Sequence, residues 1–275
     1  LNIDADHLEY FKTLDNIIKS FNKFSNQTGS RIIVNGDDAN SLKAVENVNA
    51  QIVTFGIEKE CDFTAKNIKI NDEGHWEFDI AKNGKGFCSV ALKVPGHHNI
   101  YNALAAAAAA DYAGADPDAI AFGLDAFTGA KRRYDIHTVT NGITIADDYA
   151  HHPAELEAIL SACKEQHFKR VWAVFQPFTY TRTKDHMDEF AEVLKIADKV
   201  VLTEIMAARE IDDLGVNSQQ LCSRIPGAML MPSFEAIADY VVENAQPGDL
   251  VLTMGCGDIY KCAKIMTKLL EEKYK

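Results

Sequence analysis

Apolar residues at Leu8, Phe11, Leu14, Ile17, Ile18, Phe21 and Phe24 recur with the three- and four-residue spacing of one buried helix face. The spacing predicts a single helix over residues 8–24. Short apolar runs at 32–34 and 52–55 predict buried strands, with a turn at Asn35-Gly36-Asp37-Asp38 and a short helix over 40–48 between them. Residues 61–70, 75–80 and 87–94 alternate in the antiparallel manner, with Asn71-Asp72-Glu73-Gly74 and Asn83-Gly84-Lys85-Gly86 as their turns. A break at Pro95-Gly96 leads into an alanine-rich helix over 98–113 and a second helix over 117–127.

The remainder is more regular. Strand-like runs at 134–139, 143–146, 171–175, 200–203, 228–231 and 250–254 alternate with helical stretches at 153–166, 183–197, 218–224, 233–244 and 259–272. Such alternation predicts parallel strands joined by crossovers, a doubly wound Rossmann-like sheet. The expected class is α/β: a mixed-sheet domain over 1–129, a hinge near Thr128-Gly129-Ala130, and a doubly wound domain over 130–275.

A length of 275 residues suffices for two buried cores. The formal charge of -12 argues against non-specific nucleic-acid binding, which needs clustered Lys and Arg. No stretch approaches the roughly 20 apolar residues of a membrane helix, and no basic–apolar leader pattern opens the chain. The six cysteines form no CxxC pair, which suits reduced thiols in a cytoplasmic protein. Leu1-Asn2-Ile3-Asp4 reads as the end of a buried strand, so the chain is expected to be a piece of a longer protein.

Residues 147–153, Asp-Asp-Tyr-Ala-His-His-Pro, concentrate the reactive chemistry. Ligands of open α/β sheets bind at the carboxyl ends of strands. Asp148 is expected just beyond its strand, where it accepts hydrogen bonds from a ribose or holds a cation. Tyr149 offers a flat stacking face. The adjacent rings of His151 and His152 diverge, and no HxxxH spacing or third ligand suggests zinc. A solvated turn with an Asp cap is the alternative. A second cluster spans residues 95–102, where His98 and Asn102, and Asn99 and Asn102, share helix faces. An amide donates and accepts together and so suits an adenine edge. Taken alone, this cluster is better explained as capping of a packed helix. Lys131-Arg132-Arg133 at the hinge reads as a surface basic run. Arg182, in the segment after the 171–175 strand, is the more suggestive guanidinium. Glu204 to Glu210 and Gly255-Cys256-Gly257-Asp258 also follow strands, and the two glycines would let backbone approach an anion, although a lone GxG is a weak signal.

The ordered segments GHHNIYNALAA, KRRYD, DDYAHHP, QPFTYTRT and LTMGCGD, preceded by NIDADHLEYF, resemble the Mur ligase family over essentially the whole chain. The resemblance implies an ATP-dependent amide ligase of peptidoglycan synthesis, cytoplasmic and using Mg²⁺. The DDYAHHP and TYTRT segments resemble the branch that joins L-alanine to UDP-N-acetylmuramate through an acyl phosphate. It further implies roles: His7 as a magnesium ligand, His98, Asn99 and Asn102 at adenine, and Arg133 at the ATP phosphates. Asp148 falls at the ribose, Tyr149 beside the nucleotide, and His151 and Arg182 at L-alanine and its carboxylate. Phe178 and Thr179 stand where many relatives carry His or Arg, which shifts any basic role to Arg182. No GxxxxGK[ST] loop occurs in the chain. The resemblance therefore implies that residues 1–129 are the later part of the central domain, that a P-loop and a UDP-binding domain precede them, and that this chain alone is inactive. It also implies an open sheet edge beside Leu1-Asn2-Ile3, through which copies pair as a homo-oligomer. Two rivals stand: a recycling ligase that attaches a whole tripeptide, and a ligand-binding module without catalysis.

Overall fold

The first apolar stripe folds as two helices, not one. α1 (Leu8–Phe11) ends at Lys12, whose φ of 69° cannot continue a helix. α2 (Leu14–Ser25) restarts where the Thr13 side chain accepts the Asn16 N–H. α2 buries Ile17 and Ile18 against Ile3 and Ala44, while Phe21 and Phe24, placed by the pattern on the same buried face, are exposed. These features come from a computed structural model that describes every residue except 72–73, 212–213 and the side chain of Glu9. Leu1 to Asp4 form no strand. Ile3 instead donates its N–H to Asp38 at 3.2 Å and accepts from the Asn40 amide at 2.9 Å, docking on α3 (Ala39–Lys43).

Two units divide the chain, Leu1–Thr128 and Gly129–Lys275. In the first, β1 (Arg31–Asn35), β2 (Gln51–Gly56), β3 (Phe63–Ile70), β4 (Trp76–Lys82) and β5 (Lys85–Ala91) lie side by side in that order. Strands β1 to β3 run parallel and β3 to β5 antiparallel, so the edges are β1 and β5 and not residues 1–3. Asn83 and Gly84 alone make the β4–β5 turn, both with positive φ, and Lys85 and Gly86 already belong to β5. In the other expected turn, Asp72 and Glu73 lie outside the described residues. α4 (His98–Tyr112) covers the sheet with a face of small residues, Ala103, Ala107 and Ala108 beside Ile100 and Leu104, packed with Phe55, Phe63 and Ile80. α5 (Pro117–Ala126), capped by Asp116, packs on β5, where Asp125 accepts the Ala91 N–H at 2.7 Å.

The second unit begins with a hairpin the strand–helix reading did not foresee. β6 (Asp135–Thr140) pairs antiparallel with β7 (Ile143–Asp148) through Asn141-Gly142, both at positive φ. Then follow α6 (Pro153–Lys164), β8 (Arg170–Phe175), α7 (Tyr180–Asp185), α8 (Met187–Leu194), β9 (Lys199–Leu202), α9 (Ser218–Cys222), β10 (Met229–Leu230), α10 (Phe234–Asn244), β11 (Asp249–Met254) and α11 (Tyr260–Lys273). The expected helix over 183–197 starts early, capped by Thr179, and breaks at His186. Strand order is β10-β9-β8-β11-β7-β6, parallel except for β6. Both faces are covered, which is why the strands read as continuous apolar runs. Ala173, Phe175 and Leu252 pack toward α6 and α8, whereas Trp172, Val174 and Val251 pack toward α10 and α11. No helix among the described residues is long and apolar enough to cross a membrane.

At the amino end of β11, buried Asp249 accepts from Arg170 at 2.9 and 2.6 Å, Trp172 Nε1 at 3.0 Å and the Gln246 N–H at 2.9 Å. Burial alone would raise its carboxyl, but Arg170, Gln246 and Trp172 hold it below the ordinary value. A depressed folded-state pKa contributes stability that is present above the unfolded carboxyl's pKa and is lost as pH falls through the folded one. Urea unfolding at neutral pH should show Asp249→Ala less stable than wild type by about 3 kcal/mol. That gap should narrow as the solution is acidified; a gap independent of pH would contradict the assignment.

Candidate functional site

β7 carries two carboxylates inside its last pair of residues, and strand alternation sends them to opposite faces. Asp148 is thus within the strand and buried, not beyond it as expected. Asp147, with no exposure, accepts from the Thr253 hydroxyl at 2.7 Å and Arg132 Nε at 3.1 Å. Asp148 accepts backbone N–H groups from Tyr134 and Ala150, each at 2.8 Å. Burial dominates both and raises their carboxyls above the ordinary value. Thr253 and Arg132 pull Asp147 down, and the Ala150 and Tyr134 N–H groups together with nearby Arg133 pull Asp148 down. A carboxylate has about four acceptor positions, so Asp148 keeps capacity beyond its two internal donors.

The basic run at the start of this unit separates into two different arginines. Arg132 turns inward: its Nη2 donates to the Gly255 carbonyl at 2.6 Å, and its guanidinium lies 4.8 Å from the Tyr149 ring centre and 4.9 Å from that of Tyr260. Arg133 is exposed and lies 5.5 Å over Tyr149. Reading the run as surface charge missed Arg132. The signal was the doubled carboxylate itself, since one Asp of an adjacent pair in a buried strand must be matched from within.

After β7, Tyr149 donates its N–H to the Arg132 carbonyl at 2.8 Å. The His151 Nδ1 lies 3.0 Å from the Tyr149 carbonyl and 3.1 Å from Glu155, with its ring edge-on to Tyr149 and Phe178. His152 diverges as expected. Its Nδ1 accepts the Ala154 N–H at 3.4 Å at the start of α6, and its ring meets His186 at 4.8 Å. Glu155 completes the cap by accepting from the backbones of His151 and His152.

The segment after β8 is tied to the one after β9. Met206 N–H donates to Pro177 and Thr179 N–H to Met206, each at 2.9 Å, and Glu210 accepts the Thr181 N–H at 2.9 Å. Thr179, at a φ of 65°, caps α7 and so presents Arg182 in its first turn. The segment after β11 joins them: Gly255 donates to the Asp148 carbonyl at 3.2 Å, and Gln176 reaches Asp258 at 3.3 Å. A side chain at Gly257 would stand 2.3 Å from Met206 Sδ and 2.6 Å from Gln176 Oε1, so the side chains of the neighbouring loops close on this glycine. Arg133, Asp148, Tyr149, His151 and Arg182 thereby gather at the carboxyl edge of one sheet.

The other candidates belong to the first unit. His7, at a φ of 56°, has a 60% exposed side chain with Nε2 3.6 Å from Asp6. Asn99 donates to the Pro95 carbonyl at 2.6 Å and accepts from Asn102 at 2.8 Å, while His98 and Asn102 are exposed at the start of α4. An anchor not foreseen is Tyr101, whose hydroxyl donates to Asp37 at 3.1 Å. Burial would raise the Asp37 carboxyl, but N–H groups of Glu58, Ile57 and Lys59 and the Tyr101 hydroxyl hold it lower. Asp37 thus fixes α4 to the ends of β1 and β2.

Residues 1–110 match the Mur ligase middle domain and residues 132–257 the Mur ligase, glutamate ligase domain. The UDP-N-acetylmuramate–L-alanine ligase of Acetivibrio thermocellus is 42% identical over 275 residues, covering 98% of this chain and 59% of the relative. That of Caldanaerobacter subterraneus subsp. tengcongensis is 41% identical over 281 residues, covering 100% and 60%. The solved UDP-N-acetylmuramate-alanine ligase of Thermotoga maritima has a TM-score of 0.80 at 26% identity, covering 98% of this chain and 58% of that one. The chain therefore spans 59–60% of the length of these two curated relatives.

Cys256 lies in this edge, and burial pushes its thiol up to about 11 despite nearby Arg182. Only a thiolate alkylates rapidly. At pH 8 iodoacetamide should modify native Cys256 roughly 200-fold more slowly than in the unfolded chain, given an ordinary thiol pKa of about 8.5. Its rate should climb about tenfold per pH unit toward pH 10. Peptide mass spectrometry measures both, and fast labelling at pH 8 would contradict the burial.

Proposed function

The chain belongs to the Mur ligase family, and from that premise we propose that the complete protein is an ATP-dependent ligase joining L-alanine to UDP-N-acetylmuramate. The observation that carries this reading is 42% identity to a ligase of that name across 98% of the chain. Gathering of Arg133, Asp148, Tyr149, His151 and Arg182 at one sheet edge supports it. The lactyl carboxylate attacks the γ-phosphorus of ATP, giving an acyl phosphate and ADP. The L-alanine amine then adds to the acyl carbon, and the tetrahedral intermediate expels phosphate as the amide forms.

Each residue has a part consistent with its chemistry. Arg133, exposed at this edge, neutralises charge on the ATP phosphates. Asp148 uses its remaining acceptor capacity on the ribose hydroxyls, and Tyr149 flanks the nucleotide. His98, Asn99 and Asn102 serve adenine, chiefly through the exposed Asn102 amide because Asn99 is engaged at both ends. Arg182 binds the L-alanine carboxylate with its planar fork. His151, with Nδ1 held by Tyr149 and Glu155, presents its other nitrogen to the amine.

The residues here do not make a Mg²⁺ site by themselves. His7 offers a nitrogen where Mg²⁺ prefers oxygen, and among the described residues no three His, Cys, Asp or Glu could hold a metal ion. Mg²⁺ sites of this kind borrow substrate phosphates, so His7 contributes one contact at most and no step is routed through the metal. With no GxxxxGK[ST] sequence in the chain, the β- and γ-phosphate cradle comes from the rest of the protein. The 275 residues alone are therefore expected to be inactive. ATP and a nucleotide sugar as substrates make the cytoplasm the place of action.

Phosphate release by the complete protein should require ATP, UDP-N-acetylmuramate and L-alanine together, with the tripeptide a poor replacement. Arg182→Ala should raise the KM for L-alanine by on the order of 100-fold, the loss of a charge-assisted fork. Preference for the tripeptide would assign the recycling reaction instead, and release without any amine would remove the ligase reading.

A further inference from the structure

Arg132 commits its guanidinium to the protein on several sides. Its Nε donates to Asp147, its Nη2 donates to the Gly255 carbonyl, and its guanidinium lies over the rings of Tyr149 and Tyr260. Its own N–H donates to Asp135 at 3.3 Å and its carbonyl accepts from Tyr149. The backbone around it is unusual: Arg132 has a φ of 60° and Tyr134 a φ of 50°, two non-glycine residues in the left-handed region on either side of Arg133. Such conformations persist only where surroundings over-determine them. Here the surroundings are the Arg132 side chain and the Tyr134 N–H on Asp148, one anchor on each side of Arg133.

We propose that Arg132 is a positioning residue that acts through Arg133: by clamping Asp147 and the Gly255 carbonyl, it fixes the strained turn that holds Arg133 over Tyr149 for the nucleotide. The functional half of this inference rests on the ligase reading above. The clamp itself depends on the planar fork, because a lysine keeps the charge but cannot bond in two directions while stacking between two rings. Asp147 supplies the fixed point, being buried in β7 and cross-linked by Thr253 to β11.

The test uses the complete protein and two readouts. In steady-state assays, Arg132→Ala should lower kcat/KM for ATP by on the order of 100-fold while the KM for L-alanine stays within about twofold, the cost of a misplaced group. The same substitution should add little to the loss already caused by Arg133→Ala, because the two act as one unit. Arg132→Lys should fall short of full rescue. Independently of turnover, amide hydrogen exchange at Tyr134 and Tyr149 should accelerate at least about tenfold in Arg132→Lys with the unfolding midpoint kept, a local opening. Losses that multiply across the two arginines, or unchanged exchange, would overturn the proposal. If the wild-type protein releases no phosphate, the ligase reading fails, and the exchange experiment still decides the clamp.

Discussion

A carboxylate without solvent must be matched by donors, and Asp147 is the point where this chain meets that demand. Its two partners come from opposite ends of the second unit, Arg132 before the first strand and Thr253 in the last. One buried charge therefore joins the start of the unit, the end of β7 and the end of β11. Gly255 and Tyr149 are drawn into the same set through Arg132. An uncompensated buried charge is far costlier than a surface pair is helpful, so the arrangement is enforced and not decorative.

Strand order turns that local demand into a site. Because β11 inserts between β7 and β8, the segments following all three strands emerge side by side. The backbone bonds Gly255 to Asp148 and Gln176 to Met254 fasten those segments at their roots. Beyond the roots, Met206 and Glu210 brace the loop that carries Arg182. The reactive side chains thus stand on short, braced connections above a sheet whose interior is almost wholly apolar. Rigid support with exposed ends is what a reaction governed by positioning and charge neutralisation needs.

Much of this was legible in the residues. The alternation of apolar runs with helical stretches announced the doubly wound sheet, because strands buried on both faces cannot afford polar positions. The segment 147–153 marked a candidate site, because few structural turns combine those groups. What escaped has identifiable causes. The periodicity of residues 8–24 cannot report a positive φ at Lys12, and it placed Phe21 and Phe24 on a face that is exposed. The runs at 134–139 and 143–146 were counted among the parallel strands, although Asn141-Gly142 between them is a hairpin signal. Composition could not say that Arg132 and Arg133 face different ways, since that follows from two left-handed residues set by tertiary contacts. Residue chemistry left Asp148 open between a ribose and a cation, and only resemblance proposes L-alanine for His151 and Arg182.

The central claim is that the carboxyl edge of the second sheet is a ligand wall built around the Arg132–Asp147 pair. A crystal structure of the complete protein with a non-hydrolysable ATP analogue and Mg²⁺ tests it most directly. The account predicts the ribose within hydrogen-bond reach of Asp148, the phosphates at Arg133, and Arg132 still closed on Asp147 and Gly255. A nucleotide bound away from this edge, or Arg132 released from Asp147 to contact the phosphates itself, would contradict it.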